Sequence, residues 1–168
     1  GIIDVSSSKT VVEQGYSLHV STQILNYGIN TERFNLTVYA NATVVQRIET
    51  TLPKWNSSII TVTWNTTGFA KGKYTIKAYA WLVPDETDKA DNNYTDGWVA
   101  IAMVGDISGP SGWPDGKCNM LDVGSVARLF WVSYPNPSYN PNCDINDDNK
   151  INMVDIGTVA RNFGQTDP

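Results

Sequence analysis

A single histidine, two cysteines and no long apolar run mark this 168-residue chain, and its 12 basic residues are outnumbered by 17 acidic ones. Each shortage excludes a chemistry. With His19 alone, any Ser-His-Asp or Cys-His relay would hang on one mid-strand residue. The cysteines, Cys118 and Cys143, are not arranged as CxxC, so neither zinc spacing nor a redox pair is written here. No glycine-rich phosphate loop is present. A net charge of −5 and a pI near 4.7 give no electrostatic footing on nucleic acid or anionic lipid. No apolar stretch approaches the roughly 20 residues of a membrane span. An enzyme is therefore not expected. The chain starts at Gly1 rather than Met and shows no signal peptide, which reads as a mature, processed form.

What is present divides in two. Apolar residues make up 41 % of the chain, enough for one ordinary domain or two small ones. Residues 1–104 read as short alternating strands. In "SLHVSTQILN", Leu18, Val20, Thr22 and Ile24 share a face; in "RFNLTVYAN", Phe34, Leu36, Val38 and Ala40 do. "SSIITVTW", "KYTIKAYAWL" and "DGWVAIAMV" follow, separated by polar turns. The spacing predicts an antiparallel sandwich. Trp64, Trp81 and Trp98 fall in strand registers that suit core packing. Glu86, Asp88 and Asp91 cluster on one loop, read as a solvated bend rather than a cation site.

From Gly105 onward Asp, Asn, Gly and Pro become dense. "NMLDVGSVARLFW" and "NMVDIGTVARNFG" repeat each other with an offset of 33 residues and show helical spacing. Residues 105–168 are therefore expected to be a tandem of loop-helix units. In the second unit, Asp144, Asn146, Asp148, Lys150, Asn152 and Asp155 stand at places 1, 3, 5, 7, 9 and 12 of a twelve-residue loop. That register supplies the six to eight oxygens calcium takes, with Lys150 giving its carbonyl and Asn152 binding directly or through water. Place 6, where the chain must turn sharply, holds Asn149, the side chain besides glycine that best tolerates a left-handed backbone. The alternative is an Asx-rich turn capping a helix. The first unit is less regular. Asp106, Asp115, Lys117, Asn119 and Asp122 match places 1, 5, 7, 9 and 12, Gly116 makes the turn, and five extra residues leave place 3 to Ser108 or a carbonyl. The alternative there is a degenerate loop without metal. Loops paired side by side near place 8 would bring Cys118 and Cys143 together in a disulfide worth roughly 3 kcal/mol, free buried thiols being the alternative. A disulfide and calcium both point to the cell exterior.

"DINDDNKINMVDIGTVARNFG" and "DGKCNMLDVGSVARLF" resemble the two repeats of a type I dockerin. The resemblance implies a small α domain with two EF-hand-like calcium loops that binds cohesin through its helices, often at a Ser-Thr pair before place 12. Here those places hold Met120 and Leu121, then Met153 and Val154, which favours a permanent apolar contact. "GYSLHVSTQILNYG", "FNLTVYAN", "TVTWNTTGFAKGKYTIKAYA" and "DETDKADNNYTDGWV" resemble a CARDB domain, an Ig-like sandwich. The resemblance implies a spacer, adhesin or assembly module.

Sequons add to this. Asn35, Asn41, Asn56, Asn65 and Asn93 each begin Asn-x-Ser/Thr. The first 104 residues hold 8 Asn and 21 Ser or Thr, for which chance gives roughly 1.6 sequons; the remainder holds 8 Asn and none, because Pro137 blocks Asn136. The alternative is a Thr-rich composition making accidental sequons. Trp113 and Trp131 flank the first loop and helix and are expected to pack against the sandwich. The chain as a whole is expected to be a mainly β, secreted, N-glycosylated, calcium-stabilised surface protein, archaeal in style. It would assemble with copies of itself into a filament, sheath or array, with "GIIDV" able to complete a neighbour's sheet edge. The rival expectation is an accessory module that seeks cohesin or polysaccharide.

Overall fold

The computed structural model describes residues 1–167. Its elements are β1 (Ile2–Ser7), β2 (Val11–Glu13), β3 (Ser17–Leu25), β4 (Glu32–Ala40), β5 (Thr43–Leu52), β6 (Ser57–Asn65), β7 (Gly72–Ala80), β8 (Asn93–Ala102), α1 (Met120–Ala127) and α2 (Met153–Arg161). Contacts divide the chain into two compact units. The first comprises Gly1–Ser8, His19–Trp64 and Tyr74–Trp98; the second takes Lys9–Leu18, Asn65–Lys73 and the described chain from Val99 on. The division is not a single cut between 104 and 105. Two stretches that the sequence assigns to the sandwich, 9–18 and 65–73, belong with the loop-helix repeats.

In the first unit one sheet has the order β1-β3-β6, and a second runs β8-β7-β4-β5. β1 pairs antiparallel with β3, and β4 antiparallel with both β5 and β7. Alternation decides which face is buried. Val20, Thr22 and Ile24 are enclosed on the first sheet, and Leu36, Val38, Ala40, Ile76 and Ala78 on the second. Each Val, Leu or Ile among them contributes about 1.5–3 kcal/mol by leaving water. Trp64 is the largest enclosed side chain, and its ring meets Tyr74 edge to face at 5.7 Å, joining β6 of one sheet to β7 of the other. The sandwich expected from the sequence is thus present.

Three readings need correction. Trp81 is not core: it is 42 % exposed, because it leaves β7 on the outward face. The edge strand β5 escaped the sequence reading, since its side chains are mostly exposed and show no clean alternation. "GIIDV" is not a loose donor: it forms β1, with Ile2 and Val5 buried, and pairs with β3 on one side as an edge strand of its sheet.

In the second unit β2 pairs in parallel with Ala100–Ala102 of β8. The helices have only 8 and 9 residues, too short to persist alone in water. They are held by identical capping boxes, Asn119 with Asp122 and Asn152 with Asp155, and by a shared core. That core is Ile107, Cys118, Val126, Cys143, Ile145, Ile151 and Val159, with Tyr16, Met103 and Ile156 among the residues packed on it. Gly105 enters it at φ 88°, and a Cβ there would lie 2.9 Å from Cys118 Sγ, so only glycine fits.

Candidate functional site

The two loops repeat each other atom for atom around their first carboxylate. In the second loop Asp144 Oδ1 accepts the Asp148 amide at 3.2 Å, and Oδ2 accepts the Asn149 amide at 2.8 Å. In the first, Asp106 Oδ1 accepts the Asp115 amide at 3.2 Å, and Oδ2 the Gly116 amide at 2.7 Å. The place-12 carboxylates match as well. Asp155 accepts the amides of Ile145 and Asn152, and Asp122 those of Ile107 and Asn119. Lys150 donates its amide to Asp148 Oδ1 as Lys117 does to Asp115 Oδ1. The sharp turn falls at place 6 in both, Asn149 at φ 66° and Gly116 at φ 79°, as the sequence predicts.

Electrostatics follow from this convergence. Asp106, Asp122, Asp144 and Asp155 are buried to 1 % or less. Burial pushes the Asp106 carboxyl up to about 6; amides from Gly116 and Asp115 oppose this, and the nearby Asp122 and Asp115 reinforce it. Asp155 is raised too, first by burial, with Asp144 adding to it. Carboxylates held together in low dielectric are neutralised by a proton or by a cation.

The donor set is of the kind a hard cation takes: carboxylates, amide oxygens and carbonyls. Among the described residues no three His, Cys, Asp or Glu side chains form a metal cluster by themselves. Any ion would therefore also need asparagine and backbone oxygens. Asn146 Nδ2 and Asn152 Nδ2 both donate to Asp148 Oδ2, at 3.0 and 3.3 Å, which gathers places 3, 5 and 9. Asn152 Oδ1, however, accepts the Val154 amide and Asn119 Oδ1 that of Leu121. Both are helix caps, so place 9 suits binding through water rather than directly. Ser108 does not reach the place-3 role simply: its hydroxyl lies 2.9 Å from that of Ser125. The insertion instead presses Gly109 against Asp115, whose Cβ would lie 2.6 Å from a Cβ at that position.

The loops do not bridge each other at place 8. Cys118 pairs with the tail after α2, through Cys118 N to Gln165 O and Gly164 N to Cys118 O. Ile151 pairs with the tail after α1, through Ile151 N to Val132 O and Trp131 N to Ile151 O. The two thiols take separate partners. Cys118 Sγ donates to Val159 O at 3.4 Å and Cys143 Sγ to Ser125 O at 3.6 Å, and both are free. The expected disulfide is thus absent.

Sequence reasoning missed the residues that brace the second loop. Lys9, 2 % exposed, donates to the Asp144 carbonyl and pairs with Asp147 at 3.5 Å. Asn142 Oδ1 accepts the amides of Thr10 and Val11. Tyr139 donates its hydroxyl to Asp144 Oδ2, and burial followed by that bond raises its pKa. No local motif announces such partners, since Lys9 and Asp144 lie 135 residues apart. Glu13 is fully enclosed, with Oε1 accepting no bond among the described residues.

Elsewhere, Met120, Leu121, Met153 and Val154 are 67, 49, 64 and 52 % exposed, and Trp131 is 79 % exposed at φ 68°. Trp113 is exposed as well, so the expectation that both tryptophans are packed away is corrected. All five sequon asparagines are exposed. Glu86 and Asp88 accept amides of their own loop, from Val83 and Ala90.

No family model and no curated protein matches the chain. Solved structures do. The CARDB domain of a Pyrococcus furiosus protein, crystallised in complex with di-metal ions, is 20 % identical at a TM-score of 0.49, over 60 % of this chain and 94 % of that one. A domain of a suspected cell-surface protein from Methanosarcina acetivorans is 21 % identical at 0.42, over 60 and 90 %. A β-glucosidase from Erythrobacter marinus is 10 % identical at 0.49, over 61 % of this chain and 15 % of that enzyme.

Two outcomes follow from the buried groups. Burial pushes the Cys118 thiol up to about 11 and Cys143 up to about 12. A thiol reagent should therefore find neither in the folded chain and both in denaturant without reductant; neither in denaturant would reveal a disulfide. Glu13 is raised from 4.5 to about 8, chiefly by burial, with Lys9 opposing and Asp155 and Asp106 adding. The folded state holds that proton while the unfolded chain has lost it. In chelator, stability should accordingly fall as pH rises from about 4.5 to 8. Glu13→Gln should flatten this slope in denaturant titrations; an unchanged slope would exclude Glu13 as its source.

Proposed function

We propose that this chain is a non-enzymatic, N-glycosylated, calcium-stabilised structural protein of the cell exterior that assembles with copies of itself. Its architecture is an Ig-like, CARDB-like sandwich and a dockerin-like pair of calcium loops. The observation that carries this is the duplicated amide cradle around Asp106 and Asp144, with four buried carboxylates between them. Such an arrangement is costly without a cation and is relieved by a divalent one. Asp144, Asn146, Asp148, the Lys150 carbonyl, Asp155 and a water on Asn152 would hold one ion. Asp106, Asp115, the Lys117 carbonyl, Asp122 and a water on Asn119 would hold the other. The bound ion supplies charge neutralisation and crosslinking of each loop to its helix. Extracellular calcium saturates even weak sites of this kind.

The exposed pairs Met120–Leu121 and Met153–Val154 support assembly, because adaptable apolar side chains standing in water mark contact surfaces. The five exposed asparagines support glycosylation. A second reading keeps one specific support: those same pairs occupy the places through which the dockerins they resemble meet cohesin. An accessory module recruited that way would stay monomeric alone.

Electron microscopy and light scattering of protein isolated from its native surface, with and without chelator, test the proposal. Ordered polymers that loosen without calcium are expected. Monomers in both conditions would contradict it, and growth only after a cohesin domain is added would favour the second reading.

A further inference from the structure

Thr37 of β4 is 0 % exposed although its register sets it on the face opposite Leu36 and Val38, away from the core. Two side chains cover it. Trp81 Nε1 donates to Thr37 Oγ1 at 2.9 Å, and Arg47 Nε donates to the same oxygen at 3.3 Å. The Arg47 guanidinium lies 4.7 Å from the Trp81 ring centroid, and Tyr79 meets the indole edge-on at 5.9 Å. The indole is thus fixed on the outward face of the sheet by Thr37, Arg47 and Tyr79, with 42 % of Trp81 still open to solvent.

Thr37 is also the third residue of the sequon Asn35-Leu36-Thr37. Asn35 stands directly across from Trp81, since Leu36 pairs with Ala80 and Trp81 N donates to Asn35 O at 2.8 Å. Such cross-strand neighbours share a face with Cβ atoms about 5 Å apart. In the other four sequons the third residues, Thr43, Ser58, Thr67 and Thr95, are all exposed.

We propose that Asn35 carries a glycan whose first sugar rests on the open face of Trp81, a carbohydrate seat held in place by the sequon's own threonine. The inference rests on the N-glycosylation reading above. A pyranose offers a face of polarised C–H bonds, and the indole face is the negative end of its quadrupole. Arg47, with further N–H donors beside the ring, is placed to meet sugar oxygens. The transferase reads the hydroxyl of the third sequon residue, and in the folded chain that hydroxyl is enclosed. The glycan is therefore added before β4 pairs, and folding lays it against Trp81.

Nuclear magnetic resonance of the natively glycosylated protein, with site occupancy from mass spectrometry, tests this. The ring protons of the first sugar on Asn35 should be shifted upfield relative to those on Asn41 and show Overhauser contacts to the Trp81 indole. Trp81→Leu should abolish the shift and leave the Asn41 sugar unchanged. The Overhauser contact in the unaltered protein decides the matter even where the variant fails to fold. Equal shifts at the two sites, or a bare Asn35 beside occupied sequons, would overturn the seat alone. Five bare sequons would overturn the glycosylation reading with it.

Discussion

A carboxylate that accepts two successive backbone amides is the constraint on which the second unit depends. Asp106 and Asp144 each do this, and each thereby sets the turn at place 6 and the direction in which the following helix leaves. The helices are too short to form unaided. Their caps, Asn119 and Asn152, are placed by the same loops, and their place-12 aspartates return to the loop entrance at Ile107 and Ile145. Loop and helix are one hydrogen-bonded object, and its unbalanced negative charge is what calcium would neutralise.

The two copies are alike inside and unlike at their margins. The second loop is braced by Lys9, Asn142 and Tyr139, so one positive charge and several backbone bonds already hold it. The first loop carries a five-residue insertion folded on Gly109 instead. At the helix ends, Gly164 turns at φ 83° where its counterpart 33 residues earlier is Trp131 at φ 68°. A bulky residue in a left-handed conformation is strained. The Trp131 ring stands exposed beside that of Phe130, 5.0 Å away.

Much of this was legible in the chain. Alternation in β3 and β4 named the buried faces because one face of each strand is dry. The 33-residue repeat named the helices, and the spacing of Asp, Asn and Lys named the loops with their left-handed Asn149. What was not legible depended on long-range partners. β5 is an edge whose exposed side chains need not alternate. Lys9 and Glu13 look like surface charges until folding encloses them. The disulfide expectation failed because each loop bridges the tail behind the opposite helix, a swap that local spacing does not encode. Trp81 looked like core by residue type, but it follows Ala80 on the strand whose inward parity is Ile76, Ala78 and Ala80, so alternation turns it outward, where its indole meets Thr37 and Arg47.

Calorimetric titration of the metal-stripped chain with calcium tests the central claim most directly. Two ions per chain should bind, with Asp106→Ala and Asp144→Ala each removing one. A chain that takes up no calcium at millimolar concentration would show that these cradles are helix caps alone.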